Sequence, residues 1–404
     1  MNDNKIRQHV ISLLSDFFSD DMSGIDNAIL DDWSGVIEEL RNQTVYGLPA
    51  KRIANLKLSN EAKLEYMMAL GANIQNFHLV MSEQEKLLSL LESNGIKAVV
   101  LKGASAAMNY PCPEHRCMGD IDIIVEPHLF EKAFHIMKDN SYRPIDTLEE
   151  YRRHIGMFCE SGVEIELHNY FSTSDNQEQN EILDNAIYKA IPNCVEQKLD
   201  EYKFNSLPVL ENGIVLLVHI NQHIGSGLGM RQIIDWMMYV EKNVDDEFWR
   251  EKFAPFAESI GLKQMAMVVT YMCKKYLGLK REITWCDQVG KDDPSISDEL
   301  IDYIFAHGNF SEKMSTDARA VVIIRMTKNP IQGLKTAQEY GKRNWKVLKK
   351  CPWLTPFAWL YQIIRWIVKG IRRGVTLKSF KNNLKQEDEE TKFLERLGAT
   401  RFNV

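Results

Sequence analysis

Two acids one residue apart, Asp120 and Asp122, lie in the run Gly119-Asp120-Ile121-Asp122-Ile123-Ile124-Val125, and Glu166 lies in Val163-Glu164-Ile165-Glu166-Leu167-His168. Both runs alternate polar and apolar residues, the period of a strand. Asp120 and Asp122 therefore share one face while Ile121, Ile123 and Val125 point into a core. In the second run Glu164, Glu166 and His168 share a face, opposite Val163, Ile165 and Leu167. Ionised carboxylates held side by side repel each other unless a cation lies between them. If the two strands are neighbours, Glu166 completes a three-carboxylate cluster. Hard oxygen ligands with coordination positions left for phosphate suit Mg²⁺, or Mn²⁺ in its place. The competing reading is a solvated polar face on a half-buried sheet.

Upstream, the apolar strand Val99-Val100-Leu101 ends in Lys102-Gly103-Ala104-Ser105. A glycine there lets backbone approach a phosphate closely, and amides at the start of a following helix attract anions. Lys102 either adds positive charge at that place or is a surface lysine in a turn.

The order Val99-Val100-Leu101-Lys102-Gly103, Tyr110, Arg116, Gly119-Asp120-Ile121-Asp122, Glu166-Leu167-His168, His219-x-x-x-His223 and Arg231-x-x-x-Asp235 resembles the uncharacterised bacterial nucleotidyltransferase family of the polymerase-β-like superfamily. The resemblance covers about residues 75 to 290. It implies an α+β fold, with a small mixed-sheet core, flanking helices and a mainly helical second domain that covers the cleft. It also implies two metal ions and transfer of a nucleoside monophosphate from a nucleoside triphosphate, ATP among them, to an acceptor, with pyrophosphate leaving. On that reading Asp120, Asp122 and Glu166 hold the metal, and Lys102, Gly103 and Ser105 hold the phosphates. Arg116 neutralises charge nearby or serves as a plain salt-bridge partner. The turn departs from the Gly-Ser usual in the wider superfamily, because Ala104 separates Gly103 from Ser105.

The elements that must position these residues are legible from periodicity. Residues 5 to 18 and about 61 to 93 read as helices, the second through Leu64, Met67, Met68, Leu87, Leu88, Leu90 and Leu91, with Asn94-Gly95 as its end. A strand over 96 to 101, a strand over 121 to 125, a helix over 128 to 138 after Pro127, and a hairpin of 154 to 159 with 163 to 169 follow. The expected domains are an N-terminal helical region (1–92), the sheet-bearing core (93–206), a helical domain (207–340) and a basic amphipathic tail (341–404).

After Leu207-Pro208 the pattern is helical. His219 and His223 lie four apart on one helix, as do Arg231 and Asp235 on the next, so each pair shares a face. Three roles are open: a transition-metal pair lacking a third ligand, a polar network that buttresses two helices, or groups that orient and deprotonate an acceptor hydroxyl.

Between Lys342 and Lys385 there are twelve Lys and Arg and no acid, so a chain of net charge −7 carries −19 elsewhere. Within this segment Trp353 to Val368 is apolar but interrupted by Pro356, Gln362 and Arg365, too short to span a bilayer. It suits the interface of an anionic membrane, or packing on protein. The acidic remainder disfavours a long nucleic acid. Residues 391 to 404 read as a frayed tail. Seven scattered cysteines without a CxxC pair, and no signal-peptide core at the start, fit a reduced cytoplasmic setting with membrane-surface attachment as an option. A non-catalytic module of the same fold that docks through its basic segment is the alternative function, and a phosphohydrolase using the histidines with the acids is a third. The acceptor and the preferred base are not encoded in any motif.

Overall fold

The computed structural model describes residues 2–19, 22, 24–145, 153–172, 174, 176–224 and 227–308, then 334, 337–338, 341–342, 345–349, 351–372, 389 and 391–399. Contacts divide the chain into two compact units, one of residues 1–312 with 397–404 and one of 313–396.

The first unit is built on seven strands, β1 (Val99–Val100), β2 (Ile121–Ile124), β3 (Arg143–Pro144), β4 (His154–Phe158), β5 (Glu164–His168), β6 (Val195–Leu199) and β7 (Tyr202–Ser206), in the order β3-β4-β5-β2-β1-β7-β6. The sheet is mixed. β2 runs parallel to β5 and antiparallel to β1, and β1 runs parallel to β7. Its longer helices are α1 (Asn2–Leu14), α2 (Trp33–Asn42), α3 (Asn60–Ser93), α4 (Phe130–Asp139), α5 (Gln177–Ala190), α6 (Val209–Ile224), α7 (Met230–Asn243), α8 (Lys263–Met272) and α9 (Ile296–His307).

The 34-residue α3 begins where Ser59 accepts from the Ala62 amide at 3.2 Å. It ends in a left-handed Gly95 (φ +73°), whose amide reaches Glu92 O while that of Ile96 reaches Leu91 O. The helix is where periodicity places it, but Leu64, Met67 and Met68 face solvent at 63, 60 and 69 % exposure. The buried stripe runs instead through Tyr66, Leu70, Asn73, Phe77, Val80 and Met81.

One sheet face supplies the core. Val100, Ile121, Ile123, Met157, Ile165, Leu167 and Phe204 pack with Phe77, Leu87 and Leu91 of α3 and with Phe130, Phe134 and Met137 of α4. Each such side chain contributes about 1.5–3 kcal/mol by leaving water. Beyond the sheet α6 and α7 pack closely: a Cβ at Gly213 would lie 2.2 Å from the Tyr239 ring, and the Tyr239 hydroxyl donates to Val209 O at 2.9 Å. The Trp236 indole donates to the Thr270 hydroxyl of α8 at 2.8 Å.

The hairpin of β4 and β5 forms as its pattern predicts, whereas β1 narrows to two residues, extended by the Leu101 amide bonding Asp122 O at 3.0 Å. The second hairpin, β6 with β7, was not anticipated; it turns at Asp200, whose φ is +53°. Residues 391–397 are helical, with Phe393 and Leu397 buried, so the expectation of a frayed end from 391 fails there. The i, i+4 spacing of those two apolar residues is the reason. Residues 400–404 lie outside the described residues.

The second unit carries 3₁₀ turns at Lys346–Lys349 and Pro352–Phe357 and then α10 (Ala358–Arg372). Of the basic segment, residues 373–388 lie outside the described residues. Among the described residues no helix is long and apolar enough to cross a membrane.

Candidate active site

Parallel pairing of β2 with β5 sets Asp122 directly beside Glu166. Asp120 precedes β2 by one residue and keeps the parity of Asp122. Consequently carboxylate oxygens of Asp120, Asp122 and Glu166 all lie within 4.8 Å of one another. The cluster opens outward: the Asp122 side chain is 2 % exposed and that of Glu166 19 %, with Asp120 half-buried.

Basic side chains close in on these acids. The Lys102 ammonium lies 2.9 Å from Asp122 Oδ1 and 3.5 Å from His219 Nε2. His168 Nε2 is 2.9 Å from Asp122 Oδ1 and 3.3 Å from Glu166 Oε2, and His154 Nε2 is 3.3 Å from Glu166 Oε1. Burial opposes the charge on Lys102, but Asp122, Asp120 and Glu166 outweigh it and raise the ammonium above its ordinary pKa. The same contest raises His168, where burial loses to hydrogen bonds with Asp122 and Glu166. Burial alone would raise Glu166; hydrogen bonding to His168 and the charges of His168 and Lys102 instead hold it down to about 2. Glu166 is thus anionic throughout the working range.

Gly103 makes the turn after β1 at φ +58°, a conformation L side chains rarely adopt, and it leads into the short helix Ala104–Ala107. Ser105 is fully buried, and its hydroxyl donates to the carbonyls of Leu101 and Lys102 at 3.1 and 3.3 Å. It braces the turn from within.

Arg116 and Asp235 find each other. Arg116 Nε and Nη2 donate to the two Asp235 oxygens at 2.7 and 2.8 Å, and the Tyr110 hydroxyl donates to Oδ1 at 2.6 Å. Both partners are buried, so the fork clamps the segment 110–118 onto α7. Of the two roles open for Arg116, the structure displays the salt-bridge one. Asp235, read among the acceptor-facing residues, has both oxygens engaged in that clamp. Arg231 lies beside Gly119 and donates to Cys117 O at 3.4 Å.

His223 Nε2 and His219 Nε2 are 2.8 Å apart on α6. Burial, then the Lys102 charge, push His219 well down and His223 down to about 4, so both are neutral near pH 7. Among the described residues no third metal-binding group gathers with this pair. His219 instead meets the acidic cluster through Lys102.

Sequence reasoning missed His154, and it placed His168 on the acidic face without a role. The signal was present in the hairpin: pairing around residues 160–162 sets His154 opposite His168.

Three carboxylates on adjacent strands, all hard oxygen donors, are the donor set a divalent cation of the Mg²⁺ class takes. The half-exposure of Asp120 leaves the cluster reachable from solvent. The residues present fit such an ion.

The model of a family described as uncharacterised nucleotidyltransferase matches residues 30–278. A solved structure, the crystal structure of an antigenic nucleotidyltransferase-like protein from Paracoccidioides brasiliensis, is similar at 13 % identity and a TM-score of 0.31, over 51 % of this chain and 94 % of that one. No curated protein matches.

Proposed function

Because the chain belongs to the uncharacterised nucleotidyltransferase family, we propose that it moves a nucleoside monophosphate from a nucleoside triphosphate to a hydroxyl acceptor and releases pyrophosphate. The observation that carries this reading is the convergence of Asp120, Asp122 and Glu166 within 4.8 Å, with the Lys102 ammonium 2.9 Å from Asp122. In the reaction the acceptor oxygen forms a bond to the α-phosphorus, the bond from that phosphorus to the β-phosphate bridging oxygen breaks, and the acceptor proton is taken up by base. A bound Mg²⁺ or Mn²⁺ would neutralise triphosphate charge and lower the pKa of the acceptor hydroxyl.

Each residue then has a role that its surroundings support. Asp120, Asp122 and Glu166 supply the metal-binding oxygens. Lys102 sits between the acids and His219, where its charge can pass to an incoming phosphate. Gly103 provides backbone without a side chain at the turn, with Ser105 holding that turn in shape. His219, next to Lys102 and backed by His223, would orient the acceptor hydroxyl. Arg231 lies by Gly119 as a second cation, and the pair of Arg116 and Asp235 positions the segment that leads into Asp120.

Thermal unfolding with each nucleoside triphosphate, with and without Mg²⁺, tests the proposal on the wild type and an Asp120→Asn/Asp122→Asn variant. A metal-dependent rise in Tm for the wild type alone is expected. A rise that persists in the variant, or no rise under any condition, would overturn the site.

A further inference from the structure

The helix α10 and the turn that leads into it expose a stripe that their own packing does not use. Phe357, Leu360, Ile364 and Val368 are 53, 43, 52 and 42 % exposed, and Trp353 just before them is 72 % exposed. At 3.6 residues per turn positions 360, 364 and 368 of α10 fall within about 80° of arc, and Phe357 closes the 3₁₀ turn just before them. The opposite side is the one that packs. Ala358 and Gln362 are buried, Tyr361 stacks on Trp345 with ring centroids 5.0 Å apart, and Gln338 bonds both the Trp359 amide and Thr355 O. The helix is therefore seated within its unit, and the apolar stripe is a second face.

Charge says what that face meets. The helix lies in a segment of one sign: twelve Lys and Arg and no acid occur between Lys342 and Lys385. An exposed apolar stripe within a strongly cationic segment, with an exposed tryptophan just before it, suits the interface of an anionic bilayer. A second copy of this chain would bring two strongly cationic segments together. A polyanion would satisfy the cations and leave the stripe in water. None of the described helices can cross a membrane, so the contact is along the surface.

We propose that Trp353 and the stripe of Phe357, Leu360, Ile364 and Val368 dock the protein onto a membrane rich in anionic lipid. The test is co-sedimentation of the full chain with vesicles of phosphatidylcholine alone and of phosphatidylcholine mixed with phosphatidylglycerol. Binding at least about tenfold tighter to the anionic vesicles, weakening as salt is added, is expected. The Leu360→Asp/Ile364→Asp variant should lose that binding by about tenfold or more at an unchanged Tm, because both side chains already face solvent. Equal binding to both vesicle types, full binding by the variant, or dimerisation of the wild type that the variant abolishes would each overturn the proposal. So would binding to a short single-stranded RNA without binding to vesicles. None of these outcomes bears on nucleotide transfer, which rests on the other unit.

Discussion

Lys102 is the residue on which the site's electrostatics turn, since its ammonium touches both Asp122 and His219. Replacing it with Gln removes a cation that holds His223 down. The His223 pKa should therefore rise from about 4, read by NMR titration of the imidazole, and an unchanged value would contradict the arrangement. His223 itself predicts an acid slope. Its folded pKa lies below the ordinary 6.5, so the unfolded chain binds the extra proton first as pH falls. Stability is fully present above about pH 6.5 and drains away towards pH 4, by on the order of 3 kcal/mol. Urea midpoints at pH 7 and pH 5 should differ less in His223→Gln than in the wild type. Glu166 adds a separate loss at lower pH, between its ordinary value and about 2. At the reaction itself, Asp122→Asn should abolish transfer while the fold persists, checked by product formation beside circular dichroism.

At the level of elements, the sheet register decides what the acids can do. β5 beside β2 brings Asp122 against Glu166, and a shift of one residue would send Glu166 to the apolar face. The segment entering Asp120 is held by the fork of Arg116 and Asp235, both buried. Asp235→Ala leaves an uncompensated buried guanidinium and should cost about 3–5 kcal/mol in chemical denaturation. A cost near zero would mean that the clamp is not formed in solution. Helix packing sets a second limit, because Gly213 is where α6 meets the Tyr239 ring. Much of this level was legible in advance. Alternation in 119–125 and 163–168 revealed strands and faces, and Asn94-Gly95 revealed the end of α3. The partner of Arg116 was not legible, since Asp235 lies 119 residues away and no local period reports it. Leu64, Met67 and Met68 showed the helix but not its buried side, because periodicity alone does not say which face the core meets.

Across the whole molecule, charge is segregated: twelve cations without an acid between Lys342 and Lys385, against −19 elsewhere. The two compact units share that boundary only in part, since residues 397–404 group with the sheet-bearing unit. Leu397 is fully buried, and a Cβ on Gly398 would lie 2.8 Å from Gln264 Cβ. Leu397→Ala should therefore destabilise the sheet-bearing unit by about 2–5 kcal/mol, read as a lowered Tm. An unchanged Tm would return the chain end to the frayed state its composition suggests.

The sequence by itself determined which side chains share a face, where the helices end and how charge is distributed, because those properties repeat with the short periods of the backbone. Only the tertiary structure decided that β5 lies against β2, that Lys102 bridges Asp122 and His219, and that Asp235 belongs to Arg116. Those pairings join residues far apart in the chain. They follow from which faces bury together, and no window of the sequence contains both partners.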